Sequence, residues 1–201
     1  MPDCWNLDQL QVTLNARRRN TLARDTKAAV LIPIIDDGFG PQRVVLTRRA
    51  DEVKTHKGDV AFPGGFPDAA DQDPIHTAIR EAKEEIGLDP SEVEVLGHLD
   101  DFPTSIEGVQ VTPVVARVVK APSLTPDPRE VSRVFEVPLR AFADRDAWRM
   151  EWMTRKGFRF PVYYYDHDQE VVWGLTGYIT LHLMSFSPWG APYKIKTDRF
   201  A

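Results

Sequence analysis

The sequence predicts a fold of the α/β (α+β) class, in which strands and helices alternate along 201 residues. Apolar runs at 28–35 and 109–119, rich in β-branched residues, are typical of buried strands. Between them, residues 74–86 carry apolar side chains at helical spacing, bounded by a start signal and a stop signal. A chain of this length suits one domain, so we expect a single unit over residues 1–201.

The other elements follow in order from turn signals and apolar runs. Residues 1–25 are polar and are expected to form an N-terminal helix or extension. A turn at residues 36–38, Asp-Asp-Gly, separates the first strand from a returning strand at 43–47. Further strands are expected at 93–99, 131–137 and 158–165, a Pro-rich loop at 121–128, a short helix at 138–148 and a final helix at 174–186.

Composition narrows the classes of function. The chain is 42% hydrophobic and 27% charged, which is typical of a globular protein. Its net charge of −5 argues against a general nucleic-acid binder. The first residues lack the apolar core of a signal peptide, and no apolar run is long enough to span a membrane. Cys4 is the only cysteine, so no intrachain disulfide forms and a cytoplasmic location is expected.

The helix at 74–86 has clear signals at both ends. Asp73 is a suitable N-cap, and Pro74 follows at the first helical position, where a missing N–H costs nothing. Gly87 suits the position just after the last helical residue. The predicted buried stripe consists of Ile75, Ala78, Ile79, Ala82 and Ile86.

Three glutamates crowd the C-terminal half of this helix. Glu81 and Glu85 are four residues apart and share one face beside the apolar stripe, and Glu84 precedes Glu85. Like charges at this spacing cost roughly 0.2–0.5 kcal/mol per pair, and acidic groups in the last turn oppose the helix dipole by roughly 0.3–1 kcal/mol each. Clustered carboxylates on a rigid face suit Mg²⁺ or Mn²⁺. The alternative is a solvated face with an Arg80–Glu84 ion pair.

A basic cluster follows the predicted strand at 43–47. Cations close to a metal site suit an anion that carries several phosphates. An ordinary charged loop is the alternative, which we favour for Arg48 and Lys57, whereas Arg49 and Lys54 are interpreted as substrate contacts. His56 is compatible with either reading. The cluster comprises Arg48, Arg49, Lys54, His56 and Lys57.

The glycine turn and the acidic helix together resemble the Nudix box. The residues that match its pattern are Gly65, Arg80, Glu81, Glu84, Glu85, Gly87 and Leu88. Asp71 stands where the family has its first Glu, and eight residues instead of seven separate it from Arg80. The small Ala82 fills the apolar slot after Arg-Glu. The extra residue falls in the loop before Asp73, where an insertion costs little.

Residues 45–65 are similar to the signature of the coenzyme A pyrophosphatase branch of the Nudix family. Val45 replaces a Leu of that signature, and Lys54 replaces an Arg, which keeps the charge but loses a bidentate fork. The matching residues are Leu46, Thr47, Arg49, Ala50, Gly58, Phe62, Pro63, Gly64 and Gly65. Segments 103–116, 130–139 and 171–180 also resemble this branch, so the resemblance covers roughly residues 28–186.

The resemblance implies a Nudix fold, with a mixed β-sheet sandwiched between α-helices. It implies a metal-dependent hydrolase that cuts the diphosphate of coenzyme A and its thioesters into 4′-phosphopantetheine, or its acyl form, and adenosine 3′,5′-bisphosphate. Glu81 and Glu85 would be the primary metal ligands, Glu84 a shared ligand and Arg80 a further box residue of the catalytic site. A carbonyl of Gly64 or Gly65 would complete the ligand shell.

Several alternatives stay open on the sequence alone. The base that deprotonates water is a glutamate of the box or outside it, and Glu107 is an outside candidate or simply a solvated loop acid. Another diphosphate, such as ADP-ribose or a dinucleotide, is the alternative substrate, and a non-catalytic nucleotide sensor is the third hypothesis. The sequence leaves the oligomeric state undetermined. Aromatic residues that either stack adenine or fill the core are Tyr163, Tyr164, Tyr165 and Trp173.

Overall fold

A computed structural model of the protein describes residues 3–50, 58–155 and 157–195. The helices are α1 (Leu7–Ala16), α2 (Pro74–Ile86) and α3 (Gly174–Met184), with 3₁₀ turns at Pro90–Glu92, Leu139–Ala143 and Arg145–Ala147. The strands are β1 (Thr26–Ile35), β2 (Arg43–Arg49), β3 (Val60–Ala61), β4 (Gly64–Gly65), β5 (Val93–His98), β6 (Phe102–Pro103), β7 (Val109–Val118), β8 (Val131–Pro138), β9 (Trp148–Arg155), β10 (Phe158–His167) and β11 (Glu170–Trp173).

The first eight strands form one mixed sheet. Its main path runs β3-β2-β1-β7-β5, with β4 paired to β1, β6 to β7 and β8 to β2. β1 and β7 are parallel over ten residue pairs, from Thr26 opposite Val109 to Ile35 opposite Val118. Both strands are nearly continuous apolar runs, as expected where helices cover both faces of a sheet.

The helices lie on the two faces of this sheet. On one face, Ala78, Ala82 and Ile86 of α2 pack against strand residues such as Leu31 and Val114. On the other face, leucines of α1 and apolar residues of α3 join a larger buried cluster that includes Ile32, Leu46 and Val115. Successive strand residues serve opposite faces because side chains alternate along a strand. The predicted arrangement of a mixed sheet between helices is therefore confirmed.

The caps of α2 confirm the predicted helix. The Asp73 side chain accepts the backbone N–H of His76, and Pro74 is the first helical residue. Gly87 ends the helix with a φ of +68°, and its N–H donates to the carbonyls of Ala82 and Lys83. A residue with a Cβ is strained at such a φ, which explains a glycine there.

A second, three-stranded antiparallel sheet runs in the order β11-β10-β9. The sequence predicts only its middle strand, β10, as the strand at 158–165. The short helix expected at 138–148 is present only as two 3₁₀ turns, Leu139–Ala143 and Arg145–Ala147, and β9 begins at Trp148. β9 was not predicted, although Trp148, Met150 and Trp152 alternate with Arg149 and Glu151, which is a strand signal.

The N-terminal segment is held on the edge of the large sheet. α1 packs against β5, and the two buried carboxylates that follow this strand, Asp100 and Asp101, bind the segment between α1 and β1. Asp101 accepts the backbone N–H of Leu22 at 3.0 Å and the hydroxyl of Thr112 at 2.7 Å. The expected N-terminal helix is thus present and is part of the packed structure. Among the described residues, no helix combines the length and apolar character needed to cross a membrane.

Substitution of Gly64 tests the close pairing of β4 with β1. A Cβ at Gly64 would lie 2.3 Å from the carbonyl oxygen of Ala29, and the residue has a φ of +155°. We expect Gly64→Ala to lower the free energy of unfolding by roughly 2–4 kcal/mol, through backbone strain and overpacking. Urea denaturation measures the loss.

Gly40→Ala is the matched control, because its Cβ would meet no atom nearer than 3.6 Å. We expect Gly40→Ala to change the free energy of unfolding by no more than about 0.5 kcal/mol. Equal stability of the Gly64 variant and the wild type would contradict the steric account of β4.

Candidate active site

The two glycines of β4 allow α2 to approach the sheet closely. A Cβ at Gly65 would lie 2.7 Å from the carboxyl carbon of Glu81. The backbone N–H of Gly64 donates to Glu85 Oε2 at 3.0 Å. A Cβ at Gly65 would displace the Glu81 carboxylate, whereas a Cβ at Gly64 would collide with Ala29 and Val30 of β1, so the Gly-Gly pair predicted as a turn lies against β1 and defines one wall of the site.

Glu85 is a buried carboxylate with weak compensation. It is 4% exposed. Its carboxylate accepts the Gly64 N–H, and its ion pair among the described residues is with Arg49, whose Nη1 lies 3.9 Å from Glu85 Oε1. Burial raises the pKa of Glu85 to about 7, against the opposing effects of Gly64 and Arg49. This is the strongest sign of an unbalanced negative charge in the site.

Glu81 lies one helical turn before Glu85 and is partly buried. Its Oε1 forms an ion pair with Arg80 Nη2 at 3.0 Å. Burial raises the pKa of Glu81, and the charge of Arg80 opposes that effect without cancelling it. Glu81 and Glu85 therefore share one face and one electrostatic environment, as the helical spacing predicts.

Glu84 is the most exposed of the three glutamates. Its side chain is 59% exposed and lies 2.8 Å from Arg80 Nη1, so the i,i+4 ion pair considered as the alternative interpretation is present. The sequence placed all three glutamates in one metal site; in the structure Glu84 lies at its exposed margin, where it shares Arg80 with Glu81 and its charge contributes to the raised pKa of Glu81.

Arg80 connects the helix with the loop after β4. It binds the carboxylates of Asp71, Glu81 and Glu84 and donates to the carbonyl of Phe66 at 2.9 Å. The Arg80 guanidinium holds the pKa of Asp71 far below its usual range, and this bond raises the pKa of Arg80. Asp71 thus reaches the box arginine despite its shorter side chain, because the loop residue added before Asp73 leaves enough chain.

The donor set fits a hard divalent cation only in part. Within residues 3–50, 58–155 and 157–195, no three His, Cys, Asp or Glu side chains converge closely enough to hold a metal ion. Glu81 and Glu85 supply two carboxylates whose charge is poorly compensated, and the backbone of Gly64 and Gly65 lies beside them. Two carboxylates with backbone oxygens are typical Mg²⁺ ligands, and Glu84 could join only by leaving Arg80.

Glu130 is a residue of the site that the sequence analysis missed. Its charge contributes to the raised pKa of both Glu81 and Glu85. Its loop is fixed to the site, since the Ala50 N–H donates to the Glu130 carbonyl and the Asp127 N–H donates to the Glu85 carbonyl, both at 2.9 Å. The only sequence signal was its place at the start of the segment 130–139.

Glu107, the outside candidate from the sequence, lies elsewhere. It is exposed in the turn that leads into β7. Its charge is not among the main influences on the pKa of Glu81 or Glu85. The geometry therefore favours Glu130 over Glu107 as the carboxylate outside the box.

The predicted basic residues divide between the two faces of β2. Arg49 faces the carboxylates, and its buried Nε has no hydrogen-bond partner among the described residues. Arg48 lies 3.5 Å from the buried Glu170, which also binds Arg133 at 3.0 Å, so Arg48 has the structural role favoured for it. Lys54, His56 and Lys57 lie outside the described residues.

The aromatic candidates also divide. Tyr163 and Tyr165 are 6% and 3% exposed and belong to the core. Tyr164 and Trp173 lie on the outer face of the small sheet with nearly parallel rings, 5.9 Å between centroids. The Arg149 guanidinium lies 4.0 Å from the centroid of the Tyr164 ring, so of the four candidates Trp173 is the most open to a planar ligand.

Comparison with known proteins agrees with the pattern of the site. The NUDIX domain profile matches residues 25–156. The chain is 38% identical over 180 residues to the uncharacterized Nudix hydrolase NudL of Photorhabdus laumondii, a match that covers 89% of this chain and 93% of that protein. It is 42% identical over 154 residues to the uncharacterized Nudix hydrolase NudL of Pectobacterium atrosepticum, covering 76% and 78% of the two chains.

A solved structure with a similar backbone is the Nudix hydrolase RenU from M. Smegmatis. It aligns at 24% identity with a TM-score of 0.47 and covers 64% of this chain and 78% of that one. Likeness at this level says nothing about the substrate. The domain match and the NudL relatives, together with the Gly64-Gly65 strand and the acidic helix, show that the chain belongs to the Nudix hydrolase family.

Proposed function

We propose that the protein hydrolyses the diphosphate bond of coenzyme A and its thioesters. The products would be 4′-phosphopantetheine, acylated where the substrate was, and adenosine 3′,5′-bisphosphate. The observation that carries the proposal is the buried pair Glu81 and Glu85, pressed against Gly64-Gly65 with Arg49 at its side. The similarity of residues 45–65 to the coenzyme A branch supports this substrate, and the carboxylates support only a metal-bound diphosphate.

The proposal treats residues 1–201 as one catalytic domain in the cytoplasm. One buried cluster includes side chains from Trp5 to Met184, which supports a single folding unit. The free, exposed Cys4 fits a reducing compartment.

Nudix hydrolases generally use divalent ions, and Mg²⁺ or Mn²⁺ is the proposed cofactor. Glu81 and Glu85 would hold it together with a carbonyl of Gly64 or Gly65, and Glu84 would join after release from Arg80. When bound, the ion neutralises charge on the diphosphate and lowers the barrier to attack by water. A cation at this place also compensates the buried charge of Glu85, which its own surroundings leave poorly balanced.

Arg49 is the proposed phosphate ligand. Its side chain is 28% exposed and lies beside Glu85, and its buried Nε–H has no hydrogen-bond partner among the described residues. A phosphate oxygen would satisfy that donor and take the arginine away from its long contact with Glu85. Lys54 and His56 stay predictions as further substrate contacts, since they lie outside the described residues.

Glu130 is the proposed carboxylate that handles the proton of the attacking water or takes part in holding the metal. It lies in the loop before β8, which is bonded to Ala50 and to the Glu85 carbonyl, and its charge acts on both Glu81 and Glu85. An acid near these glutamates can orient or deprotonate a water for attack on the diphosphate.

Mass spectrometry of coenzyme A incubated with the protein and Mg²⁺ tests the reaction. We expect 4′-phosphopantetheine and adenosine 3′,5′-bisphosphate, and Glu85→Gln should reduce the rate by about 10²–10³-fold, the range for losing one electrostatic group. If the protein turns over ADP-ribose far faster than coenzyme A, ADP-ribose takes the place of coenzyme A as the assigned substrate. Cleavage of no member of a diphosphate panel would favour the nucleotide-sensing hypothesis.

Glu130 and Glu107 form a matched pair for the role of the outside carboxylate. If Glu130 handles the proton, Glu130→Gln lowers kcat by roughly 10²–10⁴-fold with a small change in KM. Glu107→Gln should leave both constants unchanged, because its exposed turn does not contact the site. The opposite ranking of the two variants would return the role to Glu107.

The buried carboxyl of Glu85 predicts a pH-dependent stability. Its pKa is about 7 in the folded protein, and about 4.3 in an unfolded chain. At pH values between these two pKa values, Glu85 loses its proton in the unfolded chain and keeps it in the folded protein. The free energy of unfolding therefore falls as the pH rises. The metal-free protein should therefore lose up to roughly 3 kcal/mol of stability from this group between pH 4.3 and 7.

Glu85→Gln removes this dependence. In urea denaturation with a chelator, the stability of the variant relative to the wild type should increase from pH 5 to pH 8. Added Mg²⁺ at pH 8 should stabilise the wild type and leave the variant unchanged, because ligand binding adds stability only to the state that binds. Parallel pH profiles of the two proteins would contradict the buried, uncompensated charge.

A further inference from the structure

Strand β9 is an unpaired edge of the small sheet. It pairs with β10 over eight consecutive residue pairs, from Trp148 opposite Tyr165 to Arg155 opposite Phe158. In the part of the chain that the structure describes, no strand lies along its other side. Half of its backbone N–H and C=O groups therefore face outward without a ladder partner.

This edge lacks several of the usual protections against association. β9 contains no proline or lysine and its pairing with β10 has no bulge, and its charged residues are Arg149, Glu151 and Arg155. Three large apolar side chains on it are exposed, Met150 at 36%, Trp152 at 54% and Met153 at 43%. A long, regular edge strand with exposed apolar side chains is a surface that favours pairing with another strand.

The anchored end of β9 limits where a second strand could dock. Trp148 is 5% exposed, and its indole Nε1–H donates to the carbonyl of Phe142 at 3.0 Å. The following seven residues, 149–155, are all exposed. A partner strand has room along these seven residues and not at Trp148.

Charge and burial together restrict the register for a second copy of this strand. When two antiparallel copies of a strand are related by a two-fold axis, residues that face the same side of the sheet lie opposite each other. The axis therefore passes beside one residue that lies opposite its own copy, and this residue is the centre of the pair. A centre at Glu151 puts this glutamate opposite itself, and a centre at Trp152 puts Arg149 opposite Arg155. Like charges in opposite positions are unfavourable.

A centre at Met153 removes these conflicts. It puts Glu151 opposite Arg155 of the second copy, twice by symmetry, and Met153 opposite itself. Within its own chain Glu151 already lies 2.7 Å from Arg149, whereas Arg155 has no ion pair among the described residues. A centre at Met150 would require the buried Trp148 to face the partner.

We propose that β9 pairs antiparallel with β9 of a second copy, centred on Met153, and joins the two small sheets into one of six strands. Glu151 then lies between Arg149 of its own chain and Arg155 of the other copy, which extends an ion pair into a network. The contact is small, so the dimer is concentration-dependent and forms without involvement of the glutamates of α2.

Sedimentation analysis of the full chain tests the dimer. We expect a monomer–dimer equilibrium for the wild type and a monomer for Glu151→Arg, because this change puts arginines opposite each other. The double variant Glu151→Arg/Arg155→Glu restores opposite charges and should restore the dimer. Glu107→Arg, an exposed charge reversal on another surface, is the control and should behave like the wild type.

Disulfide trapping tests the register. In a Cys4→Ser background, Met153→Cys should form a covalent dimer under mild oxidation, since opposite residues of an antiparallel pair come close enough for a disulfide. Met150→Cys should remain uncrosslinked. A wild type that stays monomeric at about 100 µM, above the dissociation constant expected of a small interface, or a Glu151→Arg variant that still dimerises, overturns the proposal. Glu151→Arg and Met153→Cys alter exposed residues, so the circular dichroism spectra of these variants should match that of the wild type.

Discussion

The close approach of α2 to the Gly64-Gly65 strand is the constraint on which the site depends. A Cβ at Gly64 would collide with the Ala29 carbonyl, and one at Gly65 with the Glu81 carboxylate. Because neither residue has a side chain, the helix can bury Glu85 and still give it the Gly64 amide as a donor. Backbone geometry, sheet pairing and the acidity of the site are therefore consequences of one contact.

This contact creates an electrostatic imbalance that the rest of the site only partly corrects. Arg80 serves Asp71, Glu81 and Glu84 together, so it cannot also neutralise Glu85. Arg49 Nη1 lies 3.9 Å from Glu85 Oε1, and the buried Nε–H of Arg49 has no hydrogen-bond partner among the described residues. Buried charges without full compensation are costly, and such a cost is tolerated where a cation and an anionic substrate complete the site.

The packing around the site is divided by the large sheet. The face under α2 carries the carboxylates and Arg49, whereas the opposite face carries α1, α3 and the inner side of the small sheet. Arg48 and Arg49 are neighbours in sequence, yet Arg48 binds Glu170 of β11 and Arg49 faces Glu85. Alternation along a strand separates structural from site residues here.

The sequence by itself determined the limits of α2, most of the strands and the spacing of Glu81 and Glu85, because caps, apolar periods and helical spacing are local signals. Tertiary structure alone decided that the loop carrying Glu130 packs against α2 and that the small sheet packs on the face opposite α2, because both depend on contacts between residues far apart in the chain. The Arg80–Glu84 pair is a local helical contact that the sequence had offered as an alternative, and β9 and β11 are neighbours of β10 along the chain. Local patterns do not encode which distant segments meet, so only the folded chain reveals them.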